Sequence, residues 1–131
     1  MNTLHFSTIR RACLSALLAA AALPAWSQGF PSKPVRFIVP FTAGSGTDVI
    51  ARTIAEKLGP LLGAQIVIDN KTGAGGTVGA ALVAKAPADG YTLLFATMGT
   101  MTINPALYAK LRYDPVNDFA PVALTPCRPK V

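Results

Sequence analysis

The sequence of 131 residues is poor in the side chains that carry catalysis or bind metals. Its one histidine, His5, lies near the N-terminus, and its two cysteines, Cys13 and Cys127, share no metal-binding motif. The six acidic residues show no motif pairing and are explained as helix caps, turn residues or solvated charges. The sequence therefore offers no Ser-His-Asp triad and no histidine or Cys-x-x-Cys metal site, and we expect no cofactor. A small enzyme that uses two carboxylates is an alternative without a supporting motif.

Nucleotide-binding motifs are also missing. Residues 44–49 (GSGTDV) have Val49 where the dinucleotide fingerprint needs its third glycine, although Asp69 lies about 20 residues further on, where that fingerprint places an acid. No Gly-Lys-Ser or Gly-Lys-Thr is present for a phosphate loop. Lysines and arginines occur singly and without interleaved aromatic residues, which argues against a nucleic-acid partner.

The first 27 residues have the pattern of a secretory signal peptide. Arg10 and Arg11 precede an apolar run at residues 12–23, which is shorter than the stretch of about 20 that spans a bilayer. Ala25 and Ser27 supply the small residues of a cleavage site, so we expect cleavage before Gln28. A membrane anchor and export by the twin-arginine route are the alternatives.

Removal of this segment leaves residues 28–131, which is enough chain for one small domain with a single core. Ten basic residues then face six acidic ones, and this net charge of +4 favours anionic ligands. Because only Cys127 remains, no disulfide is expected, and stability must come from packing.

Beyond residue 28, apolar runs alternate with helical patterns. Three strands are predicted, at residues 35–39, 66–68 and 91–96. A first helix is predicted from Thr47 to about Leu62, ended or kinked at Gly59-Pro60, and a second at residues 77–86 with Thr77 as N-cap. A loop is predicted through residues 97–100, and residues 104–107 (NPAL) are typical of a further helix start.

This alternation predicts an α/β fold, a parallel sheet with helices on both faces. If the first strand is central, in the order 2-1-3, a ligand is expected outside the carboxyl ends of the strands, at the turns of residues 41–48 and 97–102. Glycines there allow N–H groups to converge, and a helix start adds unpaired donors, so a carboxylate fits without an arginine. The alternative is that Gly44 and Gly46 merely permit a tight turn between strand and helix.

Residues 30–124 resemble the periplasmic solute-binding proteins of tripartite tricarboxylate transporters, the Bug or TctC-like family. The resemblance rests on FPSKPVRFIVPFTAGSGTDVIAR, NKTGAGGTVGA, KAPADGYTLLFAT, INPALY and YDPVNDFAPVAL, in this order. It implies part of the first lobe of a fold like that of type II periplasmic binding proteins. It also implies a monomer in the periplasm that is not an enzyme, clamps a small organic acid between two lobes and delivers it to a membrane permease.

The resemblance also implies candidate ligand-binding residues in three turns. The first two are the turns that the sheet topology indicates, and the helix start at residues 75–77 is a third. Asp48 is expected to cap the first helix or to accept a ligand hydroxyl or amino group. The candidates are Phe41, Ala43, Gly44, Ser45, Gly46 and Asp48 in the first turn, Thr97, Met98, Gly99, Thr100 and Thr102 in the second, and Gly75, Gly76 and Thr77 in the third.

Two departures from the family pattern are visible. Members of the family are considerably longer, so we expect the second lobe to be absent, and residues 125–131 (TPCRPKV) diverge. We therefore expect residues 28–124 to be a first-lobe segment of a truncated solute-binding protein.

The affinity that such a segment can reach is limited. Micromolar affinity needs about 8 kcal/mol beyond the costs of association, which is more than two or three contacts from one face supply. A fragment that binds nothing is the alternative.

Overall fold

The computed structural model describes residues 29–125. The predicted signal peptide at residues 1–27 and all but the first residue of the predicted divergent tail lie outside this range.

Three parallel strands form the sheet: β1 (Val35–Val39), β2 (Ile66–Asn70) and β3 (Thr92–Leu94). Their order is β2-β1-β3, which confirms the predicted order. The central strand β1 is flanked on both sides, and its apolar residues are buried. The register pairs Val39 with Asn70, so β2 extends two residues beyond its predicted end. β3 is shorter than predicted because its ladder with β1 covers only three pairs.

The first helix, α1 (Gly46–Leu62), begins at a serine cap and ends at a glycine. The Ser45 hydroxyl accepts a hydrogen bond from the N–H of Asp48 over 3.3 Å, and Gly63 closes the helix with a left-handed φ of 66°. Of the two predicted outcomes at Gly59-Pro60, the end of the helix is wrong, and the kink stays a prediction. Pro60 lies in the last turn, where its missing N–H removes only one helical bond, so the helix continues to Leu62.

The second helix, α2 (Thr77–Ala84), follows a short 3-10 turn at Ala74–Gly76. Thr77 is the first helical residue and not the predicted N-cap. That position belongs to Gly76, whose φ is 89° and which makes no side-chain cap. The helix begins here because a glycine can adopt this left-handed conformation at little cost.

A π-helix at Gly99–Ile103 runs directly into a short helix, α3 (Asn104–Leu107). The prediction of a loop through residues 97–100 is therefore wrong from Gly99 onward, whereas the predicted helix at residues 104–107 is present. A π-turn is wider than an α-turn and is frequent at functional sites. Here it places Thr100 and Asn104 inside the fold, where both are buried.

The two crossover helices lie on opposite faces of the sheet. The chain moves from β1 outward to β2 and then back across β1 to β3, and right-handed crossovers in opposite directions put α1 and α2 on different faces. The predicted fold class, an α/β parallel sheet with helices on both faces, is confirmed. Among residues 29–125, no helix has the length and apolar character needed to cross a membrane.

Candidate functional site

The turns that follow the three strands meet at the carboxyl end of the sheet. Gly76 is buried between Pro40, which follows β1, and Thr100, which follows β3. A methyl group on Gly76 would lie 2.7 Å from Cγ2 of Thr100 and 3.2 Å from Cβ of Pro40. Only glycine therefore allows this close approach, which brings a residue of the second turn and a residue of the third turn against Pro40, the residue that precedes the first turn.

The turn after β1 is organised around the buried carboxylate of Asp48, which is 1% exposed. It accepts hydrogen bonds from the N–H of Gly44 at 2.8 Å, from Nε of Arg52 at 2.8 Å and from Nδ2 of Asn70 at 2.9 Å. These bonds, with that of Arg52 foremost, lower the pKa of Asp48 well below its usual range. The carboxylate is therefore ionised throughout the physiological pH range.

This geometry assigns Asp48 a structural task in the turn. The residue that caps α1 with its side chain is Ser45, while the Asp48 carboxylate joins the turn, the helix and the end of β2. All three of its partners are protein groups. Contact between Asp48 and a ligand stays a prediction.

Main-chain N–H groups of the same turn divide into two sets. Gly44 donates to Asp48, and Ser45 donates to the carbonyl of Thr42 at 3.1 Å, so these two predicted donors are already used. The N–H groups of Gly46 and Thr47 have no hydrogen-bond acceptor within residues 29–125. They are the first two donors of a 17-residue helix, where unpaired N–H groups and the helix dipole favour an anion.

The turn after β3 is held by the hydroxyl of Thr100, which is fully buried. This hydroxyl donates to the carbonyl of Thr97 at 2.8 Å and accepts from the N–H of Thr97 at 3.0 Å. The Tyr113 hydroxyl donates to the Thr100 carbonyl. Thr100 therefore shapes its turn, much as Asp48 shapes the turn after β1.

The exposed part of this second turn differs from its buried centre. The side chain of Met98 is 75% exposed, and Thr102 is exposed. Within the described range, the N–H groups of Met98 and Gly99 have no acceptor. They add two unpaired donors at the same end of the sheet, because β3 and β1 pair in parallel and end side by side.

The third turn is fixed by Asn104, whose Nδ2 donates to the carbonyl of Gly75 at 2.9 Å. Gly76 donates its N–H to the carbonyl of Gly73 at 2.9 Å, and Thr77 is the first residue of α2.

The remaining predicted residues belong to the first turn, where the carbonyl of Phe41 accepts a hydrogen bond from Asn70, whereas Ala43 and Gly46 are exposed. The structure thus places all three predicted turns at one end of the sheet, while ligand contact by their residues stays a prediction.

Four residues that organise this site were not among the predicted ones: Arg52, Asn70, Asn104 and Tyr113. Asn70 carries a signal in the sequence, since it is the polar residue at the end of an apolar strand and precedes the glycine-rich turn. Asn104 and Tyr113 carry none, because their partners lie 29 and 13 residues away.

A shallow cavity of about 630 Å³ lies elsewhere, between the second half of α1 and the amino-terminal part of β2. Its lining includes Glu56, Pro60 and Ile66. Within residues 29–125, no group of three His, Cys, Asp or Glu side chains could hold a metal ion.

Comparison with known proteins gives a consistent result. The model of the tripartite tricarboxylate transporter family receptor matches residues 50–131. The UPF0065 protein in the tcbD-tcbE intergenic region of Pseudomonas sp. strain P51 is 42% identical over 102 residues, which cover 78% of this chain and 30% of that protein.

Two solved structures also align with this chain. MatC from Rhodopseudomonas palustris, with bound malate, is 46% identical over 72% of this chain and 32% of MatC, with a TM-score of 0.70. A second R. palustris protein, Rpa4515 with adipate, is 44% identical over 66% of this chain and 29% of that protein, with a TM-score of 0.63. The chain spans about a third of the length of the proteins it matches.

Proposed function

Because this chain belongs to the tripartite tricarboxylate transporter receptor family, as its motifs predict, we propose that it contributes the first-lobe part of a binding site for a small organic acid. The site comprises the turns at residues 41–48 and 97–102, with residues 75–77 as a third element. The ligand class is a small dicarboxylate, since MatC was solved with malate and Rpa4515 with adipate.

The observation that carries this proposal is the pair of unpaired N–H groups of Gly46 and Thr47 at the start of α1. A carboxylate placed there accepts two donors that have no other acceptor in the described range and that lie at the positive end of a helix dipole. Two basic side chains at this end of the sheet do not draw the ligand carboxylate away, because each is already paired with an acidic side chain. Arg52 pairs with Asp48 at 2.8 Å, and Lys71 pairs with Asp69 at 3.1 Å.

Energetics indicate that these groups alone bind weakly. A hydrogen bond to a charged group contributes about 1.5–3 kcal/mol, and millimolar affinity corresponds to about 4 kcal/mol after the costs of association. A second surface that closes over the ligand is therefore needed for tight binding. We propose that the full site includes such a surface, and that this chain by itself binds in the millimolar range.

We further propose a periplasmic, monomeric protein that acts by binding and delivers its ligand to the membrane permease of the transporter. Support comes from the family, which is one of transporter receptors. The buried polar side chains of Asp48, Thr100 and Asn104 all have hydrogen-bond partners, which suits a rigid binding surface.

The test is an NMR titration of the 131-residue chain with malate and with adipate, using the uncharged diamide of malate as the control ligand. We expect the amide signals of Gly46, Thr47, Met98 and Gly99 to shift with the acids and not with the diamide. Signals that shift only at the α1/β2 cavity, or no shifts at concentrations of about 50 mM, would contradict the proposal.

A matched pair of variants sharpens this test. Gly46→Pro removes one unpaired N–H at the first helical position, where proline is favoured, and Ser45 already has the extended backbone (φ −66°, ψ 159°) that proline requires before it. Gly46→Ala keeps the N–H, and a methyl group there meets no atom within 4 Å. We expect Gly46→Pro to weaken malate binding about tenfold and Gly46→Ala to leave it nearly unchanged.

A further inference from the structure

Asn70 links three elements of the site, since it lies on β2 and its side chain contacts both the turn after β1 and α1. It is the last residue of β2 and pairs with Val39 of β1. Its Nδ2 donates to the carbonyl of Phe41 at 3.0 Å and to Oδ1 of Asp48 at 2.9 Å, and its Oδ1 accepts from Arg52 at 3.3 Å. The carboxamide is thus bonded through both of its Nδ2 hydrogens and through its oxygen.

We propose that Asn70 is a positioning residue for ligand binding, which orients the unpaired N–H groups of Gly46 and Thr47 by fixing the turn after β1 at both of its ends. The inference rests on the function proposed above. Phe41 opens the turn and Asp48 lies just inside α1, so one carboxamide spans the turn. The middle of the turn is then tied down by the bond from Gly44 to Asp48.

The chemistry of this position requires an amide. Both groups that face Nδ2 are acceptors, namely a backbone carbonyl and a carboxylate. Because the hydrogen bonds from Arg52, Gly44 and Asn70 keep the pKa of Asp48 low, that carboxylate is charged under all ordinary conditions. An aspartate of nearly the same shape at position 70 would turn two attractive contacts into repulsive ones.

Asn70→Asp is therefore the informative variant, and Asp69→Asn is its matched control. Asp69 is the neighbouring residue on β2 and pairs with Arg36 and Lys71 instead of with the turn. Each substitution exchanges one side-chain oxygen for nitrogen or the reverse. They differ in whether the change faces the turn after β1.

The experiment measures the malate affinity and the ligand-free amide spectra of the 131-residue chain and of both variants. All measurements are made under conditions in which circular dichroism shows that each protein is fully folded. For Asn70→Asp we expect an about tenfold weaker affinity, with shifted Gly46 and Thr47 amide signals before any ligand is added. For Asp69→Asn we expect both readouts to match the unmodified chain. A purely structural role would lower stability without moving affinity in the folded protein.

Affinity within about twofold of the unmodified chain in folded Asn70→Asp would overturn the inference. Weaker affinity with unchanged Gly46 and Thr47 signals would overturn it too, because Asn70 would then act on the ligand directly. If Asn70→Asp does not fold, Asn70→Ser, which removes the bridge without adding charge, is judged by the same two readouts. An unmodified chain that binds neither malate nor adipate contradicts the proposed function itself, an outcome distinct from these.

Discussion

The turns after β1 and after β3 are both held in a fixed conformation, but by different chemistry. The first is held by an ionised, buried carboxylate with an arginine, an asparagine and a main-chain donor around it. The second is held by a neutral threonine hydroxyl and by close packing of Thr100 against Gly76. The stability of the first turn therefore depends on charge and hence on pH, whereas that of the second depends on side-chain volume.

The largest effect on stability is expected at Gly76, where close packing limits the volume of the side chain. Gly76→Ala places a methyl group 2.7 Å from Thr100 and forces alanine to a φ of 89°, so we expect it to destabilise the chain by about 3 kcal/mol, from backbone strain and overpacking together. Gly44→Ala is the control, because its φ is 81° but no atom lies within 4 Å of the added methyl group. It should cost about 1–2 kcal/mol from strain alone. Urea unfolding measures both, and equal losses would contradict the packing argument.

A smaller effect, with a distinctive pH dependence, is expected at Asp48. Asp48→Asn removes the charge that Arg52, Gly44 and Asn70 surround, and Arg52 is half exposed and can be rehydrated. Because the folded-state pKa of Asp48 is lowered, the stability it contributes is fully present above its unfolded pKa of about 4 and is lost as the pH falls further.

Urea unfolding of both proteins at about pH 7, about pH 5 and about pH 2.5 checks this expectation. The difference in stability between the chain and Asp48→Asn should be the same at the two higher values and smaller at the lowest. The other aspartates with lowered pKa values, Asp69, Asp89 and Asp114, are present in both proteins and cancel in the difference. A difference that stays constant down to the lowest pH would show that charge does not hold this turn.

Thr100→Val tests the neutral turn at nearly constant shape. Loss of the hydroxyl leaves the N–H and carbonyl of Thr97 without their partner, so we expect a destabilisation of about 1–2 kcal/mol. Unlike that of Asp48→Asn, this loss should not depend on pH. Thr102→Val, at an exposed position of the same π-helix, is the control and should change stability by less than about 0.5 kcal/mol.

The smallest effect is expected outside both turns. Lys57 and Glu56 form an ion pair at 3.4 Å with side chains that are 77% and 73% exposed. Lys57→Ala should change the free energy of unfolding by less than about 0.5 kcal/mol, because solvent screens such pairs. Thermal or urea unfolding provides the measurement, and a loss as large as that of Thr100→Val would mean that charge contributes to stability well beyond the turn after β1.

Much of the fold was predictable because its signals are local. The strand at residues 35–39 is bounded by prolines and rich in branched residues, and the apolar spacing of α1 is regular. The boundaries that were wrong were decided by contacts from elsewhere. Asn70 joins β2 through its pairing with Val39, and Gly76 replaces Thr77 as the N-cap where the chain packs against Thr100.

The alternation of strands and helices, the glycine-rich turns and the absence of familiar catalytic motifs can all be read from the sequence, because each depends on residues close together in the chain. Which amides of those turns remain unpaired depends on contacts made in the folded chain. Gly44 and Gly46 are two residues apart and look alike in the sequence, yet one donates to Asp48 and the other has no acceptor in the described range. The reason is physical, since Asp48, which accepts from Gly44, is held in place by Asn70 from another strand, and the sequence marks Asn70 as polar without indicating its partner.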